Sequence, residues 1–227
     1  MAHSSAVAVA APHAGHQHHT STGLDNRKIA VWAFIGSECM LFGCLIATYL
    51  VYKGRSIIGP FPHETWVNPQ TGQTVQGILD IPVTSASTFV LLMSSLSMVL
   101  AHNAVVHRRQ PKTTTAQRIL GSSKLWLFMT ALLGVGFLCF QAYEFTAFVH
   151  EGLKLSTNLF GSSFFVLTGF HGAHVTAGVL WLLVLLAIDM KRGLQPEDEA
   201  SVDIAALYWH FVDVVWIAIF TLVYLIR

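Results

Sequence analysis

IAALYWHFVDVVWIAIFTLVYLI, residues 204–226, is an apolar run long enough to cross a bilayer as a helix, yet it carries His210 and Asp213 near its centre. An acid at mid-bilayer costs about 2.5–3.5 kcal/mol on insertion scales, so such a pair needs polar company. His210 and Asp213 are three residues apart and share one helix face. They are therefore expected to point together into protein rather than lipid.

Working outward, four further stretches have the same character. The spans fall at about 29–52, 81–106, 124–149, 158–188 and 204–226, each near the roughly 20 apolar residues a crossing needs. The chain has 227 residues, 53% hydrophobic and only 11% charged. A soluble domain carries about 25% charge, so the composition gives an all-α polytopic membrane protein, a bundle of five transmembrane helices spanning 27–227. The net charge of +1 offers no footprint for nucleic acid. The connections at 53–80, 107–123, 150–157 and 189–203 hold most of the charges, Pro and Gly, and no internal repeat is visible.

Lys and Arg set the expected orientation. Arg27, Lys28, Arg108, Arg109, Lys112, Arg118, Lys124, Lys191 and Arg192 fall on one side; Lys53, Arg55, Lys154 and Arg227 fall on the other. The richer side faces inward, which puts the N-terminus inside and the C-terminus outside. The basic loop at 107–123 then faces inward, where it serves as a topology determinant or meets anionic headgroups or an acidic partner. Residues 1–26 have little to bury and read as a disordered tail without a cleavable signal peptide. Its histidines, His3, His13, His16, His18 and His19, offer weak metal binding or simple solvation, with nothing to fix a coordination geometry. Cys39, Cys44 and Cys139 lie in apolar spans and form no CxxC pair, so they read as small packing residues.

The chemistry-bearing residues converge in depth. Glu38 lies about nine residues into its span, roughly 14 Å deep at the helical rise. Asp213 with His210, and His171 with His174, are at comparable depth, so all five can share one layer. Glu144 lies toward the other end of the third span, one turn from Gln141. Gly169–Gly178 forms a small-residue face around His171 and His174, which lets a neighbouring backbone approach closely. Three readings fit these groups: ligation of haem or metal by histidine, a proton relay through the acids, or a structural network that fixes helix packing.

Four motifs carry a resemblance: Trp32–Glu38, Gln141–Glu144, Gly169–Gly178 and Tyr208–Trp216, in that order, one per span. Together they resemble subunit III of the haem–copper terminal oxidases, from about Lys28 to Arg227, in the five-helix form common in bacteria. The resemblance implies a multi-pass subunit of the bacterial plasma membrane with no catalytic residue, haem, copper or other metal of its own. Haem and copper are expected in partner subunits. The chain would pack beside subunit I, with subunit II in the same complex, and bind phospholipid. It would support proton uptake and durability in an enzyme that reduces oxygen to water, with cytochrome c or quinol as donor through other subunits. Glu38 matches the family's intramembrane carboxylate, while Glu144, His171, His174, His210 and Asp213 fall to a structural polar network. The alternative is a stand-alone membrane cytochrome or proton channel built on the intramembrane histidines.

Overall fold

The computed structural model describes residues 26–56, 59, 64–67, 72, 74–75, 79–109 and 114–226. The His-rich tail and its metal question lie outside these, apart from Asn26, which begins the first helix. Five long helices match the five expected spans: α1 (Asn26–Tyr52), α2 (Ile81–Val106), α4 (Ser123–His150), α5 (Leu159–Lys191) and α6 (Glu199–Ile219). Each is long and apolar enough to cross a membrane. Two small elements were not expected. A short helix, α3 (Thr115–Leu120), lies in the basic connection, and a two-residue antiparallel ladder pairs β1 (Trp66–Val67) with β2 (Thr74–Val75).

Local chemistry sets the helix ends. Asp80 caps α2 by accepting from Val83 N, and Pro82 occupies the first turn, where a missing N–H costs nothing. Asn158 caps α5 by accepting from Gly161 N at 2.6 Å. Beyond α5, Gly193 takes φ +73 and ends the helix in the left-handed region that favours glycine. A side chain there would also meet Arg108, whose Nη2 lies 2.6 Å from an ideal Cβ. The last turn of α6 widens into a π-helix, Phe220–Leu225, in which Val223 and Tyr224 are both buried.

The helices α2, α4, α5 and α6 enclose the core. Helix α2 packs on α4 and α6, α4 on α5, and α5 on α6; α1 lies outside, against α5 and α6. Only Phe42 and Tyr49 of α1 are buried. A groove of about 210 Å³ remains between α1 and α5, lined in part by Leu45, Tyr52, Leu159 and Val166.

Glycines let the core close. Trp209 of α6 lies in a notch between Gly134 of α4 and Gly178 of α5; ideal Cβ atoms at these positions would come within 2.7 and 2.8 Å of its ring. Its indole Nε1 donates to Ser94 Oγ of α2 at 3.0 Å, and Trp216 Nε1 donates to Thr88 Oγ1 at 2.9 Å. Ser97 and Thr130 hydroxyls, 2.9 Å apart, join α2 to α4. Between packed helices these bonds satisfy polar groups that lipid would leave stranded.

Candidate functional site

Helix α5 carries the two histidines of the glycine-rich motif, and they turn to different neighbours. His174 faces α1. Its Nδ1 donates to Phe170 O at 2.8 Å, and its Nε2 lies 3.1 Å from Glu38 Oε2. With Nδ1–H committed to a carbonyl, the proton shared with Glu38 rests either on Nε2, as an ion pair, or on the carboxyl. Phe42 meets the same imidazole edge-on at 5.1 Å, and Tyr208 OH donates to His174 O at 3.0 Å.

His171 faces the core and is fully buried. Its ring stacks on Trp216 at 4.9 Å and meets Phe137 edge-on at 5.8 Å, with Phe42 at 6.4 Å. Neither ring nitrogen has a hydrogen-bond partner among the described residues. The aromatic faces hold it by packing, with edge-to-face and stacked geometries each worth about 0.5–1.5 kcal/mol.

On α6, His210 and Asp213 both turn to Ser95 of α2. His210 Nδ1 is 2.6 Å from Ser95 Oγ. Asp213 lies close to the same hydroxyl, while its Oδ1 has no partner among the described residues. Glu144 lies apart from this layer. The Thr84 hydroxyl donates to its carboxyl, Asp80 O is 2.9 Å from the same hydroxyl, and Tyr224 is nearby. Gln141 donates from Nε2 to Thr168 O at 2.7 Å, and Gly172 leaves the room its amide occupies.

The shared layer therefore resolves into three separate groups. Glu38 and His174 join α1 to α5; His210, Asp213 and Ser95 join α6 to α2; His171 sits in an aromatic box. Among the described residues no group of three or more His, Cys, Asp or Glu is placed to hold a metal ion.

One buried ionic centre escaped the sequence reading. Asp189, at the end of α5, is fully buried. It pairs with Arg108 Nη1 at 3.0 Å and accepts from Ser123 Oγ at 2.5 Å and Leu194 N at 2.8 Å. Arg108 also donates to Leu194 O at 2.7 Å. The centre ties α2, α4, α5 and the connection to α6 together at one membrane face. Its signal in the sequence was an acid directly after a long apolar run, beside two basic residues.

Outside the spans, burial pushes the Glu151 carboxyl above the usual carboxylate range, and Asp80 adds repulsion. Burial lowers the Lys53 ammonium, which donates to Ile226 O near the chain's end.

Comparison with known proteins gives this arrangement its family. The profile of "Cytochrome c oxidase subunit III" matches residues 6–226. "Cytochrome c oxidase subunit 3" of Bacillus sp. (strain PS3) is 40% identical over 200 residues, 88% of this chain and 86% of the relative. "Quinol oxidase subunit 3" of Bacillus subtilis (strain 168) is 40% identical over 197 residues, 87% of this chain and 85% of the relative. "Probable quinol oxidase subunit 3" of Staphylococcus aureus (strain USA300) is 35% identical over 216 residues, covering 92% and 96%. By profile and by relatives, the chain belongs to the cytochrome c oxidase subunit III family.

Proposed function

We propose that this chain is the third subunit of a haem–copper oxidase, a membrane complex that reduces oxygen to water and pumps protons. In this reading it carries no redox centre. It packs beside subunit I, with subunit II in the same complex, binds phospholipid in a bacterial plasma membrane, and sustains proton uptake and turnover in the core.

The observation that carries the non-catalytic reading is the divergence of the intramembrane histidines. His174 is committed to Glu38 on α1, His210 to Ser95 on α2, and His171 is boxed by Trp216, Phe137 and Phe42. Haem ligation in a bundle needs imidazoles that converge on one space, and these three point into three different seams. Relatives named for cytochrome c oxidase and for quinol oxidase match at the same 40%, which fits a donor site that resides in another subunit.

The test is purification by a tag on this chain, with and without its partners. A haem spectrum is expected only when the core co-purifies. Deleting the chain should leave initial oxygen reduction in place while shortening turnover lifetime and slowing proton uptake. A Soret band from the chain alone would overturn the non-catalytic reading. Unchanged lifetime and proton uptake after deletion would overturn the supporting role.

A further inference from the structure

The connection between α2 and α4 forms a basin of about 380 Å³ at one membrane face. It is lined by Arg108, Arg118, Gly121, Ser122, Ser123 and Lys124. Three of these six residues are cationic. Arg108 is already balanced by Asp189. Arg118 and Lys124 are exposed, and no carboxylate pairs with either among the described residues. Nearby Glu197 is engaged by Arg109 at 2.6 Å. Ser122 is the N-cap of α4 and Ser123 its first residue; the Ser122 amide donates to Ile119 O at 3.1 Å, while the first helical amides after it lack intrahelical acceptors. The basin therefore presents the uncompensated positive charge of Arg118 and Lys124 beside the start of α4.

A second observation says what kind of anion fits. Directly along α4 from Lys124, at helical spacing, Phe128, Leu132 and Val135 are all exposed. Leu120 and Ile119 of α3 are exposed too, and Trp126 Nε1 donates to Leu120 O at 3.2 Å, tying α3 to the first turn of α4. An open apolar stripe thus runs from the charged basin toward the membrane interior. A free anion would use the basin alone, whereas an amphiphile uses both. Basic pockets between membrane helices are suited to anionic headgroups, each Lys or Arg near the surface contributing about 1 kcal/mol.

We propose that this basin seats the phosphodiester of an anionic phospholipid, with Arg118 and Lys124 as its charge partners and an acyl chain along Phe128, Leu132 and Val135. The inference deepens the phospholipid binding proposed above, and it rests on the membrane-spanning fold rather than on the oxidase assignment.

Native mass spectrometry of the tagged complex, and of the full chain alone, tests it. The probes are phosphatidylglycerol, phosphatidylcholine and inorganic phosphate added after delipidation. Phosphatidylglycerol should be retained, about fivefold more weakly after Arg118→Gln or Lys124→Gln and about 25-fold more weakly after both. Phosphatidylcholine retention should not change, and thermal unfolding should show that both exposed substitutions leave the fold intact. Equal retention of phosphatidylglycerol by the double variant overturns the site. Displacement by inorganic phosphate at matched concentration makes it a free-anion site and overturns the lipid. Retention by the chain but not by the complex means that an acidic partner segment covers the basin, which also overturns it. The measurement on the chain alone stands whether or not a haem–copper core co-purifies.

Discussion

Replacing Gly178 with alanine tests the central packing of the bundle. A methyl there would stand 2.8 Å from Trp209 Cε3 and Cζ3 and 3.2 Å from Tyr208 Cε1. The indole cannot swing aside freely. Its Nε1 is held by Ser94 Oγ at 3.0 Å, and its opposite side fills the notch at Gly134. The backbone of α5 must therefore move away from α6, or the Ser94 bond must break. Overpacking of this kind costs about 1–3 kcal/mol, and loss of the bond adds about 0.5–1.5 kcal/mol. At about 2–4 °C per kcal/mol for a chain of this size, Tm of the solubilised protein should fall by about 2–18 °C. The companion is Trp209→Phe, which removes the clashing atoms and the hydrogen bond together. If the notch is as tight as described, Gly178→Ala should cost much less in the Trp209→Phe background than alone. Thermal unfolding of the two single variants and the double variant, in one detergent, measures the coupling. An unchanged Tm for Gly178→Ala, or costs that simply add, would refute the reasoning.

Other perturbations probe the polar groups. Glu38→Gln should keep a bond to His174 Nε2 and assemble normally, whereas Glu38→Ala strands that nitrogen and should cost about 1–3 kcal/mol, read as Tm. Arg108→Gln should be more damaging than Asp189→Asn: the first strands a carboxylate of 0% exposure, the second a guanidinium that is 30% exposed and can reach water. The expected loss for Arg108→Gln is about 3–5 kcal/mol, seen as reduced Tm and yield. Glu151→Gln should stabilise the protein increasingly as pH rises. The folded carboxyl titrates above its unfolded value, so its ionisation opposes folding over that window and the amide removes the effect. Melting curves at pH 4 and pH 8 would contradict this if the gain were equal at both.

The spans were legible because crossing a bilayer imposes a length and an apolar composition that few other structures share. Depth was legible too, since helical rise converts position into distance. What sequence did not carry was rotational phase against the neighbours. His171 and His174 differ by about 60° around α5 at 3.6 residues per turn. That small angle separates the aromatic core from the seam with α1, because α5 is contacted by α1, α4 and α6. The aromatic box around His171 draws on Phe42, Phe137 and Trp216 from three other helices, and no local pattern announces it. By sequence Asp189 falls at the start of the 189–203 connection. Its role emerges only when Arg108 and Ser123, distant in sequence, are brought to it. The short α3 was hidden by its length and by a surrounding run of polar residues, although Thr114 N–H donates to Gln117 Oε1 at 3.1 Å as a starting helix would have it.

The slight attachment of α1 has a consequence for how the protein is made. A helix that is stable on its own in lipid can insert before its neighbours exist and dock later. Here α1, made before the other four long helices described, is also the one with the fewest obligations: Phe42 and Tyr49 are the residues it buries in the interior. The later four helices close on one another without it. Biogenesis can therefore proceed as two events, assembly of a self-sufficient quartet and capture of a waiting fifth helix by the Glu38–His174 latch. The long 53–80 connection acts as a tether that sets their effective concentration. Two separately translated pieces, parted within that tether, carry the information to find each other.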